Sequence, residues 1–188
     1  MRSTVAGSTV LNQFSDDGNG SVTISDTRQE MAAINGSARV VESFSRSFPS
    51  SADGSVSYQA SYNKTGYTRV GRVIADPART FAKSASWSVD TEGNVTTSGV
   101  IDADGYVDID ATTENLQTFV VLNGQAKISH ARSVSLTENI DGSTVRQVLD
   151  VDTHYVTVHN PPVPGQYLGR LRDNTPAEGP EGTGTWEA

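Results

Sequence analysis

Two dipeptides between Glu114 and His159, Asn123-Gly124 and Asp141-Gly142, constrain this chain more than any other feature. A type I′ turn needs positive φ at both central residues, and Asn-Gly and Asp-Gly supply it at little cost. If each is a two-residue hairpin loop, the flanking segments form three long antiparallel strands. The first turn pairs Leu122 with Gln125 and Phe119 with Ile128. The second pairs Ile140 with Ser143, Leu136 with Gln147, Val134 with Leu149 and Arg132 with Val151. Side chains alternate faces along a strand, so the two registers test each other. One face collects Phe119, Val121, Ala126, Ile128, Val134, Leu136, Leu149, Val151 and Tyr155. The other collects Ser129, Ser133, Ser135, Thr137, Asp150, Asp152 and His154. Two turns placed independently thus give one apolar and one polar face, as mutually consistent signals should. Gln117, His130, Arg132 and Thr153 interrupt the apolar face, which predicts a bulge near His130 or a bend in the long strand.

The rest of the chain repeats this style. Thr9–Phe14 reads as a strand, and Ser21–Ile24 returns from the turn at Asp16–Gly20. Asp26–Ile34 is the one helical stretch, with a cap candidate at its start and Asn35-Gly36 as its stop. Alternating residues predict strands over Ala38–Phe48, Val56–Tyr62, Tyr67–Ile74, Phe81–Val89, Val95–Ile101 and Tyr106–Ala111. A four-residue loop at Asp102–Gly105 pairs Ile101 with Tyr106 and Val100 with Val107. The expected fold is all-β: antiparallel meander strands in a two-sheet β-sandwich, or alternatively a β-barrel, with one short helix at most. Residues 1–9 read as a flexible arm, 10–160 as the β domain, and 161–188 as an extended tail rich in Pro and Gly. No internal repeat is visible beyond recurring acidic-Gly turns.

The chain has 188 residues, enough to bury a core without staples, and no cysteine. Disulfides, thiolate metal sites and cysteine nucleophiles are therefore excluded. Its net charge of -8 argues against nucleic acid as a partner. No stretch approaches a membrane span, and the first residues lack the apolar core of a signal peptide.

Asp102, Asp104, Asp108 and Asp110 form the densest carboxylate group and suit Ca²⁺, the one cofactor the sequence suggests. Their spacing does not match an EF-hand loop; the alternative is a hairpin turn with a charged face. Asp150, Asp152 and His154 share one face of a regular strand and could form a metal or acid/base site, or a solvated polar face. His130 and Arg132 form a second polar group. Tyr58, Tyr62 and Tyr67 flank one hairpin and would bind carbohydrate or protein if exposed, or form core if buried. Phosphate-binding, dinucleotide, H-E-x-x-H and G-x-S-x-G motifs are all missing. The expected function is therefore a non-catalytic structural or interaction protein, such as a virion, tail, filament or adhesin subunit, self-associating or binding another protein through β edges and terminal arms. A virion or extracellular setting fits that class. The alternatives are a carbohydrate- or calcium-binding module and a hydrolase with an Asp/His site.

Overall fold

The structure, a computed structural model, describes residues 7–155, and side chains from Asn12 onward. Most of the expected arm, residues 156–160 of the expected domain, and the tail lie outside the described residues. The chain divides into a unit ending at Asp152 and a second beginning at Thr153. The fold described is that of the first.

Nine antiparallel strands form one hydrogen-bonded sheet, and no helix occurs among the described residues. They are β1 (Gly7–Asp16), β2 (Val22–Ile34), β3 (Ser37–Ser50), β4 (Val56–Lys64), β5 (Phe81–Val89), β6 (Val95–Ser98), β7 (Leu116–Leu122), β8 (Gln125–Glu138) and β9 (Thr144–Asp152). β1 already contains Gly7, Ser8 and Thr9, which the sequence suggested were part of an arm. Tyr67–Ile74 and Tyr106–Ala111 are not strands; each contributes an isolated bridge, Tyr67 to Val73 and Ile101 to Val107.

The expected helix at Asp26–Ile34 is the second half of β2. Gln29, Glu30, Met31 and the two alanines favour a helix in isolation, but here β3 pairs the whole segment and β1 pairs it as far as Met31. Two ladders of backbone hydrogen bonds outweigh a propensity difference of tenths of a kcal/mol per residue. Asn35-Gly36, read as a helix stop, is a hairpin turn with φ of 49° and 74°, the same geometry as Asn123-Gly124 at 52° and 79°. A helix stop and a type I′ turn both demand left-handed backbone, so the dipeptide alone cannot tell them apart.

The acidic-Gly turns share another geometry. In Ser51–Ser55, Asp90–Asn94, Asp102–Tyr106 and Asn139–Ser143, the first amide donates to the fifth carbonyl and the fourth amide, from glycine, donates to the first carbonyl. This is a three-residue loop whose last member, a glycine, takes positive φ. One extra loop residue shifts the pairing. Leu136 pairs with Arg146, Val134 with Val148 and Arg132 with Asp150, one position away from the register expected of a two-residue loop. At Asp102–Tyr106 the loop is one residue shorter than the four expected, and Ile101 pairs with Val107 instead of Tyr106.

β6 and β7 occupy one position in the sheet. Both lie between β5 and β8, end to end. The chain leaves the sheet at Gly99 and re-enters at Asn115. That excursion packs over one face, where Ala60, Tyr62, Ala85 and Val107 are buried and Phe44, Tyr58, Phe81, Ile101 and Ile109 pack around them. Tyr58 Oη donates to the Gly105 carbonyl, Arg46 to the Asp104 carbonyl and Lys83 to the Ile109 carbonyl, fastening the excursion to β3, β4 and β5. The core is small: with Thr80, Thr112 and Asn115, those four are the only buried side chains among the described residues.

Candidate functional site

The registers assign every strand residue to one of two faces. The packed face carries the aromatic residues under the excursion and also the charges. Asp26, Arg28 and Glu30 of β2, Glu42 and Arg46 of β3, Lys64 of β4, Lys83 of β5, Lys127, His130, Arg132 and Glu138 of β8, and Arg146, Asp150 and Asp152 of β9 all lie on it. So do Asp16 and Arg39. The other face has no charged strand residue, in a chain where 19% of residues are charged. Hydroxyls and amides dominate it. One row crosses the sheet from Ser25 through Ser47, Gln59, Ser86, Ser98 and Ser135 to Gln147. Ser45 and Ser61 hydroxyls bond at 2.7 Å, and Thr96 and Thr137 at 2.9 Å. None of these residues is buried. Two shallow concavities of about 420 and 340 Å³ open on this face; Ser45, Ser47, Ser61 and Ser84 line the first, and Ser61, Asn63, Ser84 and Ser133 the second.

On the packed face the charges gather at the β8–β9 corner. The expected bulge is present: Thr118 pairs with His130 and Phe119 with Ile128, leaving Ser129 as the extra residue. The phase of β8 inverts there, so His130 and Arg132 lie on the face opposite Ile128. The one-residue register shift brings Asp152 opposite His130 and Asp150 opposite Arg132. The sequence had placed these pairs on opposite faces. His130 Nδ1 lies 2.8 Å from Asp152 Oδ1 and 3.5 Å from Asp150 Oδ1. Arg132 reaches Asp150 at 3.0 Å and Glu114 at 3.5 Å, and Arg146 reaches Glu114 at 3.2 Å. The sequence reading missed Glu114 and Arg146; the extra residue in the Asn139–Ser143 turn would have revealed Arg146. These pairs face solvent and add little to stability. Their order is what matters, since it makes the corner a defined pattern of alternating charge.

His130, Asp150 and Asp152 also place three ligand atoms within 4.8 Å of one another, the one such set among the described residues. A nitrogen and two carboxylate oxygens suit a borderline divalent ion better than Ca²⁺. His154, expected beside Asp152, lies past the end of β9, in the second unit.

The remaining candidates are used by the fold. Asp102 accepts the amides of Asp104 and Tyr106, and Asp108 those of Asp110 and Ala111. Two of the four carboxylates thus close turns, and the group does not converge into a ligand set. Tyr62 is 2% exposed, and Tyr58 stacks on Trp87 at 6.3 Å and bonds to Gly105, so neither belongs to an open aromatic strip. Tyr67 sits in the loop bridge to Val73. Comparison with protein-family models, curated proteins and solved structures found no match to this chain.

Proposed function

We propose that this protein is a non-catalytic subunit of a protein assembly, of the kind found in virions, tails, filaments or adhesins. One observation carries the reading: all strand charges lie on one face, and the opposite face is a broad uncharged array of hydroxyls and amides. Solvated sheet faces carry charge, whereas the centres of protein interfaces are depleted of it. The two-layer arrangement anticipated from the sequence would then be completed by a partner laid on the hydroxyl face. The small buried core agrees, because Ile128, Val145, Leu149 and Val151, exposed at one end of that face, would gain apolar burial by assembling. Light scattering after size exclusion, over a range of concentrations, tests the reading. A defined oligomer or filament is expected; a monomer at every concentration would refute self-assembly.

A second reading rests on the convergence of His130, Asp150 and Asp152. It is divalent-cation binding at the β8–β9 corner, with Zn²⁺ as the natural probe. Calorimetric titration with Zn²⁺ should give one site in the native protein and none in His130→Ala. Equal binding by both would remove this reading.

A further inference from the structure

We infer that β9 pairs antiparallel with β9 of a second copy, about a two-fold axis through Val148. The inference rests on the assembly reading and adds to the face contact proposed there an edge contact with a second copy.

Among the described residues, β9 has no partner on its outer edge. It pairs with β8 over nine consecutive residues without a bulge, and all nine residues are exposed. Natural edge strands are blunted by proline, charged side chains, bulges or shortness. Thr144–Asp152 has no proline, no bulge and full length, and its three charges, Arg146, Asp150 and Asp152, share one face and include both signs. It also offers Val148 at 48% and Leu149 at 61% exposure.

Its sequence is also complementary to itself. A two-fold axis normal to the sheet keeps each face on its own side, so each residue must meet one of the same face. The register of full overlap pairs Thr144 with Asp152 and centres on Val148. It sets Arg146 opposite Asp150 of the second copy, and Asp150 opposite Arg146, on the packed face. On the other face Val145 meets Val151 of the copy. Asp150 already pairs with Arg132 at 3.0 Å, so the dimer would extend a row of alternating charge across the interface. Moving the axis to Gln147 sets Arg146 opposite Val148, and moving it to Leu149 sets Asp150 opposite Val148; each also shortens the ladder. The other outer strand, β1, carries only Asp16 and offers no cation to Asp150. A β1–β9 contact would also be head-to-tail and extend into a fibre, whereas the two-fold contact closes as a dimer.

Because the chain has no cysteine, one introduced cysteine reports the register. Directly opposite Cα atoms lie roughly 4.5–5.5 Å apart, within disulfide reach. Val148→Cys should therefore cross-link into a covalent dimer under mild oxidation, and Val145→Cys should not. Arg146→Asp and Asp150→Arg should each weaken association by about tenfold or more, since two pairs turn repulsive in each dimer. Mixing the two variants should restore it, because both cross-interface pairs become attractive. Circular dichroism of each variant confirms that it is folded. An oligomeric protein whose Val148→Cys variant stays uncross-linked, or whose mixed variants stay apart, would overturn this inference and leave assembly through another surface. A monomer at all concentrations would overturn both.

Discussion

Asn115 Oδ1 accepts the backbone amide of Val134 at 2.7 Å. The bond lies in the gap between β6 and β7, where β8 has no strand residue opposite it. Asn115 Nδ2 also donates to Ser98 Oγ at 2.7 Å, and its backbone carbonyl accepts the Ser84 amide. One buried residue, by its side chain and its backbone, thus stands in for the missing part of a strand. Asn115→Ala leaves the half-buried Val134 amide without its partner, while the Ser98 hydroxyl keeps its bond to the Val134 carbonyl, and should cost about 1–3 kcal/mol in chemical denaturation. A loss below about 0.5 kcal/mol would mean water fills the gap.

Gly99 turns the chain out of the sheet with φ of 66°, and a Cβ there would lie 2.6 Å from the Ser84 carbonyl oxygen. Backbone strain and the clash act together. Gly99→Ala should lower stability by at least about 2 kcal/mol, read as a lower midpoint with an unchanged denaturant slope.

The gap itself sets a length. On β5 only Ser84 and Ala85, and on β8 only Ser133 and Val134, lie between the partners of Ser98 and Leu116. Replacing residues 99–115 by two strand-forming residues should therefore leave β6 and β7 as one continuous strand. β content by circular dichroism should persist. The surface around Tyr62 should become accessible, giving stronger binding of a hydrophobic dye than in the native protein. Loss of all β signal would show that the excursion is needed for the sheet to form.

Acid should destabilise the protein through its turns. The carboxyls of Asp17, Asp53, Asp90 and Asp141 all lie below the ordinary value of 3.8. The Asn19 amide is the main cause for Asp17, the Ser55 amide for Asp53, the Asn94 side chain for Asp90 and the Ser143 hydroxyl for Asp141. A carboxyl depressed in the fold stabilises it fully above its unfolded value, and that stabilisation is lost as pH falls through the folded one. The melting temperature should be insensitive to these groups above about pH 5 and fall below about pH 3.8. In Asp90→Ala that acid-side decline should be shallower.

Alkali acts at the core. Burial pushes the Tyr62 hydroxyl well above its ordinary value of 10, with the Glu42 charge adding to the effect. A phenol raised in the fold favours the native state below its unfolded value and loses that effect as pH climbs past it. Stability should therefore decline above about pH 10. In Tyr62→Phe the decline should be weaker, and the ultraviolet phenolate signal should lose its latest-titrating component.

The sequence by itself determined the all-β class and located most of the strands and turns, although it read Tyr67–Ile74 and Tyr106–Ala111 as strands. Asn123-Gly124 has the expected pairing of Leu122 with Gln125, and the interruption at His130 marks a real bulge, because two-residue periodicity and left-handed turn residues act over short range. It could not determine what depends on partners distant in the chain. Asp26–Ile34 has helical composition, and only two flanking strands make it β. The Asp141-Gly142 turn holds one more residue than the dipeptide suggests, and that single residue moves Asp150 and Asp152 to the side of His130 and Arg132. Since facing repeats every second residue, a one-residue error inverts a whole strand. The separation of charge from hydroxyls is written at alternate positions, but which positions share a face across nine strands is fixed only by the assembled ladder.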